Sequence, residues 1–366
     1  MTPNHTPRWS RVPSENDAAT VRSNEIDEEL KKGRLTIRPK RFVALFGGPG
    51  AGRSTFLRQV KLYSSGYDTP EREELGTVIQ TSLISAIRLI LEGSASISDD
   101  PTMQLPLALS SFLQATDLCS DTTTSSEQDQ PLLADTIQEL LAVPLIKQVI
   151  EASPQFQADS SLQYMMGAIP RIMAPRYTPT DIDILRCKFA PAPPIVEILF
   201  KPPPLNEYPM NATLVSVRRD NGLQRKWLNL LDEAEAIIFL VDLSRYDQTE
   251  YCSETDEQLN CIRAAMREFE SICSVPLMRF QSAIVIFNKF DLFAEKLTRI
   301  PFTECFPEYT GANEATAAAE YCIQRFQVLY CVFGVRQRDI RTWCTNSLDA
   351  DQMRVTLREI IVRLRL

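Results

Sequence analysis

Between Phe42 and Tyr63 an apolar run leads through Gly47-Gly-Pro-Gly-Ala-Gly-Arg-Ser-Thr55 into a helical pattern, with Phe56, Val60 and Tyr63 at i, i+4 and i+7. Glycines let backbone N–H groups converge on phosphate oxygens, and the N-terminus of the following helix adds positive potential. Gly47, Gly52 and Ser54 fit the spacing G-x-x-x-x-G-K-[ST], with Arg53 where the lysine belongs. In that pattern the cation reaches the outer phosphates and the hydroxyl holds Mg²⁺, so Ser54 is the candidate metal ligand. Gly50, Ala51 and Thr55 complete the candidate cradle. A strand–turn–helix junction with spare glycines would read the same way, so this loop does not decide the chemistry alone.

A second constellation lies far downstream. Ala283-Ile-Val-Ile-Phe287 is an apolar, β-branched run that reads as a buried strand, and it ends in Asn288-Lys289-Phe290-Asp291. Asp291 can accept from the N1–H and the exocyclic amine of a guanine. Asn288 can bond the base and brace the loop, and the Lys289 stem can lie along the ring. An N-K-x-D box is weak in isolation. After a strand, and C-terminal to a phosphate loop, it points to a guanine-nucleotide site.

Composition narrows the rest. At 366 residues, two modules are the expectation, and 44% hydrophobic residues suffice for a sizeable core. A formal charge of −8 argues against non-specific nucleic-acid binding, which needs a basic face. No apolar run approaches the roughly 18 residues of a membrane span, and the first residues lack a signal-peptide apolar core. The nine cysteines are scattered singly with no C-x-x-C pair, as reduced thiols of a cytosolic protein would be. The single histidine, His5, sits in a polar tail, which excludes Ser-His and Cys-His triads and His-based zinc sites.

The elements that must position these groups follow from periodicity. Residues 1–13 read as a disordered tail, and 14–38 as an N-terminal helix with a thin stripe of Ala19, Ile26 and Leu30. Residues 64–183 carry helical patterns, such as Val78 to Leu91 and Leu132 to Ile150, interrupted by a polar low-complexity loop from Cys119 to Pro131. Strands are expected at Ile195 to Phe200, Ala212 to Val217, Ala236 to Val241 and near Ile340 to Cys344. Helices are expected with Leu259, Ile262, Met266 and Phe269 on one face, at about Asn313 to Tyr330, and over Met353 to Leu364. Alternating strands and helices imply an α/β fold with a mostly parallel sheet and helices on both faces.

With these residues in place the chain resembles the alpha subunits of heterotrimeric G proteins from about Arg22 onward. Beyond the two boxes, the resemblance rests on Arg22-Ser-Asn-Glu-Ile-Asp27, Ser161-Leu-Gln-Tyr164 and Pro175-Arg-Tyr-Thr-Pro-Thr180. It continues through Asp183-Ile-Leu-Arg-Cys-Lys188, Lys226-Trp227, Leu243-Ser-Arg-Tyr-Asp247, Phe269-Glu-Ser-Ile-Cys273 and Pro307-Glu-Tyr-Thr-Gly311, all in family order. The resemblance implies a P-loop Ras-like GTPase domain (39–63 and 184–366) with an inserted all-helical domain (64–183), and GDP or GTP with Mg²⁺ bound between them. It implies a beta–gamma dimer and a seven-helix receptor as partners. It also places Leu185, Arg186 and Ser347 at the nucleotide, and implies an in-chain arginine that stabilises charge during hydrolysis.

The hydrolytic positions are the ones that depart. The family's phosphate-loop glutamate falls on Gly50 and its catalytic arginine on Lys188, which lacks bidentate geometry. Such an arginine contributes roughly 10³–10⁵ in rate. Phe189-Ala-Pro-Ala-Pro-Pro194 stands where the family has a Mg²⁺-ligating threonine. Switch II admits two readings. Without a gap, the D-x-x-G aspartate falls on Ser216 and the catalytic glutamine on Asp220; with a four-residue deletion, Asp220-Asn-Gly-Leu-Gln-Arg225 supplies Gln224. The ungapped reading is preferred because it ends the apolar strand at Val217 and keeps Arg218 and Arg219 out of a buried sheet. Thr345-Asn-Ser-Leu348 matches the family's T-C-A-T only at its threonine.

Two functions follow. One is a slow GDP/GTP switch in receptor signalling; the other is an inactive scaffold working through protein contacts. Thr2 replaces the glycine that myristoylation needs, no early cysteine serves palmitoylation, and the chain stops at Leu366, short of a receptor-reading tail. The expected location is cytoplasmic, with any peripheral attachment at the inner face of the plasma membrane made through partners.

Overall fold

The computed structural model of the protein describes residues 42–97, 135–152 apart from 136, 140 and 143, 160–187 apart from 175, 195–200, 212–217, 234–252, 257–276, 282–332 and 340–364. The expected tail, N-terminal helix and polar loop 119–131 lie outside these residues, as do 188–194 and 218–233, which hold most of the two expected switch segments. Ser216, the ungapped D-x-x-G position, is buried in the strand Ala212–Val217.

The elements in chain order are β1 (Phe42–Gly47), α1 (Arg53–Ser64), α2 (Thr69–Ile97), α3 (Pro144–Ala152), α4 (Ser160–Gly167), α5 (Ile169–Ile172) and α6 (Asp181–Arg186). Next come β2 (Ile195–Phe200), β3 (Ala212–Val217), β4 (Ala236–Asp242), a 3₁₀ turn (Leu243–Arg245), β5 (Thr249–Cys252), β6 (Glu257–Asn260) and α7 (Cys261–Cys273). The chain closes with β7 (Ser282–Asn288), α8 (Phe290–Leu297), α9 (Phe302–Cys305), α10 (Ala315–Val332), β8 (Arg341–Thr345) and α11 (Ala350–Leu364). The chain divides into two compact units. The first comprises Met1–Arg53, Pro194–Asn346 and Val355–Leu366, and the second Ser54–Pro193 and Ser347–Arg354.

In the first unit six strands pair in the order β2-β3-β1-β4-β7-β8, all parallel except the antiparallel edge strand β2. β4 is buried along its whole length and β7 nearly so, which suits their near-continuous apolar runs. β1 lies between β3 and β4, so the chain feeds connections to both sides from its carboxyl end. That is the crevice where open α/β sheets accept ligands. Register puts Asp242 beside Asn288 and Asn288 beside Thr345, a row of polar residues at the carboxyl edge.

An aromatic cluster holds the helices on this sheet. Phe269 of α7 meets Phe239 at 5.2 Å and Phe326 at 5.3 Å between ring centroids. Tyr246, Phe293, Phe302 and Phe306 are fully buried, with Phe302 stacked on Phe306 at 4.6 Å. The cysteines here are free: burial pushes the Cys261 thiol up to about 11 and the Cys273 thiol up to about 12, as expected of core residues.

One expectation needs correction. Leu259 lies in β6, a strand of the β5–β6 hairpin, and α7 starts only at Cys261. Asn260 sets that boundary: its side chain accepts from the backbone N–H groups of Ile262 and Arg263 and donates to the Tyr246 carbonyl. Asn260→Ala therefore lowers the stability of this unit by about 1–2 kcal/mol, to be read from urea denaturation.

The second unit is helical. Ile79, Leu83, Ile87 and Ile90 form one stripe of α2 and join a core with Ile137, Ile146, Leu162, Met165, Ile169 and Ile172. Among the described residues, no helix is long and apolar enough to cross a membrane.

Candidate nucleotide site

Within the first unit the glycine loop leaves β1 at the carboxyl edge of the sheet. Gly47 has φ +142°, and a Cβ there would stand 2.6 Å from the Leu240 carbonyl, so only glycine lets β1 run this close to β4. A turn follows, closed by the Ala51 N–H donating to the Gly48 carbonyl at 3.2 Å.

Asn288, 1% exposed at the end of β7, donates through Nδ2 to the Ala51 carbonyl at 2.9 Å. The two sequence motifs, 237 positions apart, are thus bonded to each other. Lys289 follows in the left-handed region, with φ 58° and ψ 39°, and its Nζ donates to Asp242 Oδ2 at 2.6 Å. Asp242 is itself buried at the end of β4, where Oδ1 accepts from the N–H of Ser244 at 3.0 Å and from its hydroxyl at 2.6 Å. Asp291 opens α8 as an exposed carboxylate, and Asn346, just beyond β8, donates to its Oδ2 at 2.9 Å.

Arg245 braces the loop from the 3₁₀ turn. Its Nη1 donates to the Pro49 carbonyl at 2.9 Å and to Glu250 at 3.0 Å, and its Nε to Gln248 at 3.1 Å. A Cβ at Gly50 would lie 3.8 Å from both Arg245 Nη1 and Asp242 Oδ2.

Within the second unit, Ser54 is exposed in the first turn of α1. Thr55 Oγ1 donates to the Leu185 carbonyl at 3.5 Å. Arg58 reaches the carbonyls of Ile184 at 3.0 Å and Cys187 at 2.8 Å, fixing the chain just before Lys188. Gln59 donates to the Ser347 carbonyl at 2.8 Å. The Leu185 side chain is buried, and the Arg186 guanidinium lies 5.2 Å from the Tyr164 ring centre.

These residues sit on α6, which Thr180 and Asp183 start with a reciprocal capping box. Asp183 is fully buried and accepts from Arg171, from the Tyr164 hydroxyl at 2.7 Å and from Thr180. Burial alone would raise its pKa, but the bonds from Arg171, Tyr164 and Thr180 outweigh it and hold the carboxyl well below the usual carboxylate range. Of the remaining candidates, Lys188, Asp220 and Gln224 lie outside the described residues.

The first unit therefore brings a glycine loop suited to phosphate and a carboxylate suited to a base to one edge of the sheet. Comparison with known proteins is consistent with this geometry. A sequence model of the family described as "G-protein alpha subunit" matches residues 20–363. The chain belongs to the G-protein alpha-subunit family.

Among relatives of this alpha-subunit chain, the guanine nucleotide-binding protein subunit alpha of Coprinellus congregatus is 32% identical over 360 residues, covering 96% of each chain. The alpha-1 subunit of Mycosarcoma maydis is 30% identical, over 98% of this chain and 97% of its own. The alpha-16 subunit of Caenorhabditis elegans is 31% identical, over 95% and 96%. Sequence reasoning assigned no role to three residues that hold these loops, Asp242, Arg245 and Asn346. Asp242 carried one signal, a charged residue closing an otherwise apolar strand.

Proposed function

We propose that this alpha subunit binds GDP and GTP through the glycine loop and the N-K-x-D box, and that it hydrolyses GTP slowly by family standards. The reading is carried by the Asn288–Ala51 bond, which links the base-reading loop to the phosphate-reading loop. The residues suit the ligand. Gly47, Gly50, Ala51, Gly52 and Arg53 would serve the phosphates, and Asn288, Lys289 and Asp291 the base. Thr55, Leu185, Arg186 and Ser347 are assigned to the site by family position.

Slow turnover follows from Gly50, Lys188 and the run Ala190 to Pro194, whose side chains carry no oxygen. Lys188 and Asp220, or Gln224 in the gapped register, are the candidate catalytic positions. A bound Mg²⁺ would neutralise phosphate charge. Ser54 supplies one hydroxyl for it, and the side chains from Ala190 to Pro194 offer no oxygen where the family has a threonine ligand. Mg²⁺ dependence should accordingly be weak. We assign a beta–gamma dimer and a seven-helix receptor as partners by family, with a cytoplasmic location and any attachment to the inner face of the plasma membrane made through those partners.

The departures at Gly50 and Lys188 also favour a second reading, a scaffold that holds nucleotide without turning it over. Titration of the purified chain with fluorescent GDP and GTP, with and without Mg²⁺, followed by single-turnover hydrolysis separates the two. Measurable phosphate release supports the switch, and tight binding without release supports the scaffold. No binding of either nucleotide defeats the switch and leaves a scaffold that works through protein contacts alone.

Arg53→Lys is expected to tighten GTP binding about three- to tenfold, because a compact ammonium enters a phosphate cradle more readily than a planar guanidinium. Unchanged affinity would show that residue 53 does not touch phosphate.

A further inference from the structure

Every functional side chain of the N-K-x-D box is already held by a partner, each partner on a different segment. Asn288 is tied to Ala51 in the phosphate loop, Lys289 to Asp242 at the end of β4, and Asp291 to Asn346 after β8. Neither Asp242 nor Asn346 belongs to the glycine loop or the N-K-x-D box. We propose that Asn346 and Asp242 are positioning residues that preset guanine recognition, Asn346 by orienting the acceptor carboxylate of Asp291 and Asp242 by directing the Lys289 stem. The inference rests on the nucleotide reading above and specifies how the base is selected.

The physical case begins with Asp291. An exposed carboxylate rotates freely about its terminal torsion and is fully hydrated, so lining up both oxygens for a base costs conformational freedom when the ligand arrives. The Asn346 amide, 2.9 Å from Oδ2, removes that freedom beforehand. Each carboxylate oxygen accepts more than one hydrogen bond, so Oδ2 remains available to the ligand. A fixed carboxylate plane favours a base that presents two donors side by side, as guanine does with N1–H and its 2-amine. It gives less advantage to hypoxanthine, which keeps N1–H and lacks the amine. The bond is exposed and contributes little to the fold, so its effect is on the ligand.

Asp242 acts differently. It is 7% exposed, and its charge is offset by Lys289 and two bonds from Ser244. A buried charge held this way does not wander, and it fixes the end of a lysine whose backbone is already constrained to the left-handed region. The methylene stem would meet the face of the purine, which guanine and hypoxanthine share.

The two residues therefore leave different signatures in a titration of the full chain with GDP and with inosine diphosphate. In Asn346→Ala the affinity for GDP falls about tenfold and that for inosine diphosphate about twofold, so the GDP preference drops about fivefold. In Asp242→Asn, which keeps the size and a hydrogen-bond acceptor for Ser244, both affinities fall together and the preference is unchanged. Melting curves identify folded variants, and Asn346, half-buried with an exposed bond to Asp291, keeps the test intact should Asp242→Asn fold poorly. An Asn346→Ala chain with wild-type GDP preference overturns the role of Asn346. A folded Asp242→Asn chain with wild-type affinities overturns that of Asp242. A wild-type chain that binds neither nucleotide overturns the nucleotide reading itself, an outcome visible before any variant is compared.

Discussion

Gly52→Ala is expected to abolish measurable GDP binding, with an affinity loss of about 100-fold or more. Gly52 has φ +92°, a conformation that an alanine adopts only under strain of about 1–3 kcal/mol. The new Cβ would stand 2.3 Å from Asn288 Nδ2, far inside contact distance. Asn288 cannot swing aside cheaply, because it is 1% exposed and its amide satisfies the Ala51 carbonyl. Displacing it leaves a buried donor and acceptor unmatched, which costs about 1–3 kcal/mol more. Strain and lost bonding act at the junction between the phosphate loop and the base loop, so both ends of the ligand lose their receptor at once. Titration with fluorescent GDP reads the affinity, and a fall in melting temperature should accompany it. Gly167→Ala is the control: nothing lies within 4 Å of the added Cβ, and its backbone needs no positive φ. If Gly52→Ala binds within threefold of the wild type while staying folded, the bonded junction is not what organises the site.

The second large effect concerns stability. Asp183→Ala should cost the helical unit about 2–4 kcal/mol, since it removes a buried carboxylate that accepts charge-assisted bonds and caps α6. The loss stays in the lower part of the range for buried pairs because the Arg171 side chain is 44% exposed and regains water when its partner goes. The pH dependence has a definite sign. The folded-state pKa of Asp183 is depressed, so its contribution is complete above the ordinary unfolded value near 4 and is lost as pH falls below it toward the folded value. Urea denaturation between about pH 3 and pH 7 should show the wild type losing stability at the acid end, and Asp183→Ala losing less. Equal acid slopes would assign the acid sensitivity to other groups. The consequence is local, because α6 ends at Arg186 and is capped by Cys187.

Much of the architecture was legible before any coordinate. The strands at 195–200, 212–217, 236–242 and 282–288 and the helix ending at Leu364 carry dense apolar patterns, and periodicity is a local property that the chain displays openly. The hairpin β5–β6 was not legible, because Thr249–Cys252 and Glu257–Asn260 alternate too weakly to announce strands. Their pairing is established across the chain, residue against residue.

The sequence by itself determined the family, the α/β fold with its helical insertion, and the two motifs that make nucleotide the natural ligand. These depend on residue types at short, fixed spacings. Only the tertiary structure decided which side chains hold those motifs in place. Asp242 meets Lys289 across 47 positions, Asn346 meets Asp291 across 55, and Arg58 meets the Cys187 carbonyl across 129. No spacing rule encodes such pairs: they exist because parallel strands bring their carboxyl ends to one edge, or because helices pack around one core. A hydrogen bond forms only where folding has brought donor and acceptor within about 3 Å.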